Sequence, residues 1–434
     1  MTQDYNRVMR LAPLSLMLVA AQLLRAQYDP KAPLTTDLIL LARIKSVVST
    51  MMARMPNFTC VETIERSRRE QTAKKFELLD TIRMEVALVD GKELYAWPGA
   101  KRFEESDIRR MVGGSGAIGT GDFALHAKSI FLSGQAKFEY RGTEVLNGRK
   151  AHKFHFRVDM NGSYYLMRVG TAEGEVGYQG HVWNDAETLD LMRLEMDIDQ
   201  IPPQVPLKQG HKLLDYAPMQ IGGESYILPS GMDMSLTGMD GTESRNRATF
   251  SGCRQYAGES TLIFEDPPPD TAAPKPVPAT ISLPEGVSVQ LKLVAAIDLR
   301  KSVVGDTVKF QVAKAVEKAG AVLLPKGAEV EMRIDMAVCR DFPTGHCFLA
   351  LVPGQVSQGN ASGAFHAKLE FPALDKQLDM AFVNVRPEMR LPPAEIAQAS
   401  PGASILLLRG SRAKLSSGFN TTWRTLEGRG DDKP

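Results

Sequence analysis

Four cysteines and seven histidines are the residues best equipped for chemistry in this chain, and their spacing narrows what that chemistry can be. Cys60, Cys253, Cys339 and Cys347 are even in number. Thiolates bind metals or act as nucleophiles in a reducing compartment and pair in an oxidising one. His346 beside Cys347, with Cys339 near in sequence, offers three zinc-type ligands but no obvious fourth. His152 and His155 are three apart in a stretch of period two, which sends them to opposite faces of a strand and argues against joint metal binding. His152 shares its face with Phe154, Phe156 and Val158 and reads as a half-buried, hydrogen-bonded residue. Gly114-Ser115-Gly116-Ala117-Ile118-Gly119 matches G-x-G-x-x-G, but charged RFEESDIRR stands before it where a dinucleotide site needs a buried strand, so it reads as a surface loop. Ser411 and Lys414 match S-x-x-K without the elements that accompany it in serine acyl-enzymes. Neither H-E-x-x-H nor G-x-S-x-G occurs, and the carboxylates form no recognisable pair. The expectation is no catalytic set, no metal and no cofactor.

What remains is apolar. Met192, Leu194, Met196 and Ile198 alternate with Arg193, Glu195 and Asp197, so one face of a strand is aliphatic and the other charged. Met219, Met232, Met234 and Met239 follow in the same region. Methionine is adaptable and over-used on promiscuous apolar surfaces. These four alternating residues are therefore candidates to bind an apolar ligand, and ordinary core filling is the competing reading.

The elements that must position them can be read from periodicity. Thr35 or Thr36 can cap a helix whose apolar face is Leu38, Leu41, Ile44, Val48, Met51, Met52 and Met55, with Pro56 ending it. The period then drops to two. Phe76, Leu78, Ile82, Met84, Val86 and Leu88 alternate, with Asp80 the one polar intruder. Asp90-Gly91 and Asn147-Gly148 are hairpin turns, and Asn161-Gly162 opens another. A helical interlude covers Phe103 to Ser133. Alternating stretches follow at 176–184, 189–199, 211–221, 225–236, 244–256 and 259–265. Together they predict an antiparallel meander with helices on one side, over residues 35–265. Residues 266–279 carry six prolines in fourteen positions and read as an extended linker. Beyond it, alternation at Val287 to Leu293 and Val308 to Val312, with Pro and Gly punctuation, predicts an all-β barrel or sandwich over 280–427, ending in a polar tail, 428–434. With Cys60 and Cys253 before the linker and Cys339 and Cys347 after it, the economical pairing is within each half.

Address and partners follow from charge and hydropathy. Arg7 and Arg10 precede an apolar run, Leu11 to Leu24, with small residues at Ala20, Ala21 and Ala26. That pattern reads as a signal peptide, residues 1–26, cleaved after Ala21 or Ala26, with a buried helix or uncleaved anchor as the alternative. Export would place the cysteines where disulfides form. No later segment is apolar enough to span a bilayer as a helix. Lys and Arg total 52 against 51 acidic residues, so the basic excess of a nucleic-acid binder is missing.

Two stretches carry resemblances. GHVWNDAETLDLMRLEMDID, with Trp183, Asp185, Thr188 and Arg193 around a strand, turn and strand, resembles the LolA, LolB and RseB group of periplasmic proteins. The resemblance extends over residues 35–265 and implies an open curved sheet whose concave side is plugged by helices. It also implies an acyl chain or lipoprotein as ligand. The MPNFTCVETIERSRR segment is similar to uncharacterised secreted proteins of acidobacteria. Residues 280–334 resemble the small β-barrel domain of TrbI-type secretion proteins, through Gly286, Gly305-Asp306 and Pro325-Lys326-Gly327. These readings lead to an exported, non-enzymatic cell-envelope protein that binds an apolar or amphipathic ligand, or a partner polypeptide, through its first part, with a β-rich assembly module behind it. A purely structural surface or secretion component is the alternative, and a hydrolase with an unrecognised site is a third.

Overall fold

The computed structural model describes residues 35–100, 103, 108, 111, 125–169, 172–256, 280–340, 346–372, 378–382, 399–400, 402–410 and 414–427. The expected signal peptide, the glycine-rich stretch at 114–119, the strand at 259–265, the linker, the turn at 341–345, Ser411 and the polar tail lie outside the described residues. The fold is mainly β, with a curved antiparallel sheet packed by helices and a second all-β sheet after it.

The first helix, α1, runs Thr36–Arg54. Thr35 caps it: its Oγ1 accepts from the Leu38 amide at 3.4 Å and its carbonyl from the Ile39 amide at 3.1 Å. Twelve strands then alternate with turns: β1 (Phe58–Arg69), β2 (Glu77–Val89), β3 (Lys92–Ala96), β4 (Lys137–Leu146), β5 (Arg149–Val158), β6 (Leu166–Val169), β7 (Ala172–Glu175), β8 (Gly177–Asp185), β9 (Leu191–Gln200), β10 (Leu207–Ile221), β11 (Glu224–Gly238) and β12 (Glu243–Gln255). Helix α2, Leu125–Leu132, stands between β3 and β4. Ten of the strands form one sheet in the order β3-β2-β1-β12-β11-β10-β9-β8-β5-β4, and β6 pairs with β7. Residues β8 to β12 make an uninterrupted meander, so most neighbours in space are neighbours in sequence. Asp90 and Gly91, and Asn147 and Gly148, all have positive φ, the backbone that two-residue hairpins require.

One expectation needs correcting. The apolar alternation of β2 does not reach back to Leu78, which is 50% exposed. The β1–β2 register shifts between Arg66↔Asp80 and Ser67↔Leu78, and this irregularity turns Leu78 to the other face. Phe76 instead lies under the Arg69 guanidinium, 4.8 Å from the ring centroid.

The second sheet has nine strands drawn from residues between Ser288 and Thr425. Ser288–Leu293 and Thr307–Val312 alternate exposed and buried, and Val289, Leu291, Phe310 and Trp423 are at most 1% exposed in its core. Both sheets belong to one compact unit, residues 44–434. They meet where the loop before Thr307 lies along β2. Arg83 donates its amide to the Val304 carbonyl and Val304 donates to Thr81, each at 2.8 Å. The Arg83 guanidinium holds Asp306 at 2.5 Å, and Arg333 lies 4.2 Å over the Trp97 ring. Gly305 has φ +100°, and a Cβ there would sit 2.2 Å from the Arg83 carbonyl oxygen. Only glycine fits that approach.

The candidate ligand-binding face

Register places one line of side chains across nine strands on the inner face of the first sheet. In order they are Asp80, Arg66, Asn246, Met234, Lys212, Met196, Gly180, Phe156 and Phe138. The next line, Ile82, Ile64, Ala248, Met232, Leu214, Leu194, Val182 and Phe154, is wholly apolar and buried. The face is thus aromatic and aliphatic toward β4 and partly charged toward β2. Arg66 is 2% exposed and grips Asp80 through two nitrogens, at 2.7 and 2.5 Å. This is the physical reason for the polar intruder in the β2 alternation.

Of the residues the sequence nominates, Leu194, Met196 and Ile198 are buried on this inner face, at 0%, 1% and 8% exposure, and Met192 is half-buried. Arg193, Glu195 and Asp197 take the outer face, where each reaches a partner: Arg193 with Asp215, Glu195 with His181, Asp197 with His211. Both helices reach the inner face. Lys45 of α1 lies 4.9 Å over the Phe138 ring. In α2, Ile130 and Phe131 are buried, Phe131 stacks on Phe138 at 5.7 Å, and Ser129 Oγ meets the Tyr178 hydroxyl at 3.1 Å. His126 Nε2 lies 3.1 Å from the Lys212 ammonium.

Two spaces border the far end of this face. One is a small cavity of about 10 Å³ lined by Tyr165, Met196, Ile198, His211, Lys212, Met234 and Leu236. It is the size of a single water molecule. The other is an open cleft of about 450 Å³ at the ends of β5 and β9, lined by Met160, Asn161, Ile201, Pro202 and Pro203 with Asp159 and Gln200. A single apolar cluster, Met167, Val176, Ile198, Val205 and Leu207 with Tyr165, Ile201 and Leu236 against it, contributes to both: Ile201 to the cleft, Ile198 to the cavity.

No family model matches the chain, and no curated protein matches it. Among solved structures it is similar to a domain named for outer membrane lipoprotein sorting from Vibrio parahaemolyticus, at 15% identity, over 51% of this chain and 95% of that one, with a TM-score of 0.28. A DUF1329 family protein from Desulfovibrio piger is similar at 12% identity over 52% of this chain and 97% of that one, TM-score 0.28. A LolA superfamily protein from Nitrosomonas europaea is similar at 11% identity over 54% of this chain and 99% of that one, TM-score 0.25.

The remaining candidates resolve as follows. Cys60 bridges to Cys253 and Cys339 to Cys347, each pair with Cα atoms 4.1 Å apart. The first bridge ties β1 to β12; the second joins residues directly opposite on adjacent strands. Both sulfurs near His346 are therefore consumed in a covalent bond. Among the described residues no group of three His, Cys, Asp or Glu side chains is placed to hold a metal ion. His152 accepts or donates to the Tyr140 hydroxyl at 2.9 Å, while His155 packs on His181 on the outer face with ring centroids 5.4 Å apart. Burial lowers both imidazoles below their ordinary value, aided by Lys150 at His152 and by His181 at His155. No described helix is long and apolar enough to cross a membrane. Sequence reasoning passed over Lys212 and His126. The signal at Lys212 was present, since it interrupts the buried parity of Gly210 and Leu214 as Asp80 interrupts that of Ile82 and Met84.

Proposed function

We propose that the chain is an extracytoplasmic envelope protein that takes an acyl or amphipathic ligand onto the inner face of its ten-stranded sheet, entering past the cluster at Ile198 and Ile201. The observation that carries this reading is the cluster's position: it borders an open cleft of ligand size and a cavity on the inner face. Two disulfides support an oxidising compartment, as does the charged and apolar pattern at Arg7 to Leu24. The second sheet then serves as an interaction or assembly module.

A cavity of about 10 Å³ cannot hold an acyl chain, so a ligand must displace something. Helix α2 is the element that yields. At eight residues it is too short to persist without packing, and its buried anchors are chiefly Ala127, Ile130 and Phe131. Exposing Ile130 and Phe131 costs roughly 3–6 kcal/mol, while an acyl chain of about fourteen methylenes contributes on the order of 11 kcal/mol gross on burial. The gross gain from the chain exceeds the cost of exposing those two anchors. Native mass spectrometry of the purified full chain, with and without added fatty acid, tests it: a mass increment of one acyl ligand is expected. A chain that carries no lipid and binds none at micromolar concentration would instead support the purely structural reading, which the small size of the cavity favours.

A further inference from the structure

The two-stranded ribbon β6–β7 stands off the ten-stranded sheet and has two unlike faces. Met167 and Val176 belong to the apolar cluster with Ile198, Val205 and Leu207, and Tyr165 packs against it. Gly174, opposite Met167, lets the ribbon sit close on the loop after β9, since a Cβ there would lie 2.6 Å from the Pro202 ring. Tyr164 and Leu166 are the alternate residues and take the other face. They are 84% and 55% exposed. Tyr164 is the most exposed large apolar side chain among the described residues, and its φ of +52° is a left-handed conformation that a bulky residue rarely adopts. That conformation is pinned from behind: the Glu175 carboxylate accepts from the Tyr164 amide at 2.6 Å and from the Ser163 hydroxyl at 3.3 Å. The backbone is held in a strained form that presents an aromatic ring to solvent.

These side chains stand beside the open cleft. Ser163 donates its amide to the Met160 carbonyl at 3.2 Å, so Tyr164 follows directly on the turn that carries the cleft residues Met160 and Asn161. Met239, 69% exposed, borders the loop that carries Pro202 and Pro203, its amide 3.3 Å from the Pro206 carbonyl. Charge cancels at this end: Arg168 pairs with Glu173 across the ribbon, and Lys137 and Arg157 both pair with Asp159. Even an aromatic side chain buries only about 150–250 Å². Three partly exposed side chains therefore fall short of the roughly 800 Å² that each partner buries in a specific protein interface. A lipid surface needs only a few apolar groups, and tyrosine, apolar in body and polar at its tip, suits the interface. We propose that Tyr164 and Leu166 dock this end of the molecule on a zwitterionic lipid surface. The proposal goes beyond the acyl reading and rests on it in one respect: an acyl chain leaving such a surface meets the cleft without crossing bulk water.

Co-sedimentation of the full chain with vesicles of dioleoylphosphatidylcholine tests it, beside vesicles of that lipid mixed equally with dioleoylphosphatidylglycerol. Binding of similar strength to both is expected, because the charges at this end are already paired. Tyr164→Asn combined with Leu166→Ser keeps a residue that tolerates the left-handed backbone. It should weaken partition about tenfold or more, the effect of withdrawing roughly one buried side chain's worth of apolar surface. Equal partition of the two chains would mean that another segment, such as the apolar run Leu11 to Leu24, carries the binding, and would overturn the proposal. Binding to the anionic vesicles alone, or no sedimentation at all, overturns it too. A dimer that the double substitution dissociates, with no vesicle binding, places a second copy on this face instead. Leu166→Trp guards against a misfolded variant: its emission should shift to the blue when vesicles are added, and an unshifted spectrum overturns docking. Palmitate plays no part in either readout, so failed docking leaves the acyl reading standing, and failed palmitate binding leaves a positive docking result intact.

Discussion

Single residues in this chain announce themselves by breaking a pattern. Asp80 interrupts an apolar alternation, and the reason lies fourteen residues away in Arg66, which shares its buried line and holds it through two nitrogens. The interruption was legible in the sequence; its partner was not, because pairing depends on the β1–β2 register and on the irregularity that turns Leu78 outward. Lys212 breaks parity in the same way in β10. Leu194, Met196 and Ile198 could be placed on one face by alternation alone. Whether that face was open could not, since openness depends on what the helices cover. The buried pair gives a direct test. Asp80→Ala removes both carboxylate acceptors from a guanidinium that is 2% exposed, and such a break costs about 3–5 kcal/mol. Urea unfolding should show that loss, and Arg66→Met combined with Asp80→Leu should restore most of it, because two well-packed apolar groups replace the pair.

At the scale of elements, the hairpins were the most legible feature. Asp90-Gly91 and Asn147-Gly148 fix their turns by local backbone preference, which needs no tertiary context. Helix α1 likewise follows from its cap and its apolar spacing. Helix α2 is different. Within the expected interlude from Phe103 to Ser133, Ile108 and Met111 are helical and Leu125–Leu132 forms a helix stabilised by what it covers. Its double role makes opposite demands on one side chain. Phe131 is 2% exposed and stacks on Phe138, so Phe131→Ala should lower stability by about 3–5 kcal/mol. If α2 is also what a ligand must displace, the same substitution should strengthen acyl binding. Paired unfolding and dialysis measurements check the two signs together; a variant that loses stability without gaining affinity would make α2 core and nothing more.

For the whole molecule, the proline-rich stretch at 266–279 argued for two parts, and the two sheets do draw on residues either side of it. What the sequence could not show is the joint. Gly305-Asp306 stands in the sequence only as a point of resemblance, yet the glycine is where the loop meets the Arg83 carbonyl and the aspartate is where it meets the Arg83 guanidinium. Such contacts link residues more than two hundred positions apart, and no local pattern encodes them. Gly305→Ala would force the loop away from β2 through both its φ and its Cβ. Limited proteolysis within 266–279 should then proceed faster than in the unmodified chain, with both sheets still folded in the fragments. An unchanged cleavage rate would mean that this joint does not restrain the two parts.

In the proposed function an acyl ligand reaches the inner face by displacing α2. Hydrogen–deuterium exchange of the full chain, with and without palmitate, reads that event at the element concerned. Amides of Leu125–Leu132 should lose protection on binding while those of β9 and β10, beneath the ligand, keep or gain it. Binding that leaves α2 fully protected, or that alters exchange only in the second sheet, would contradict it.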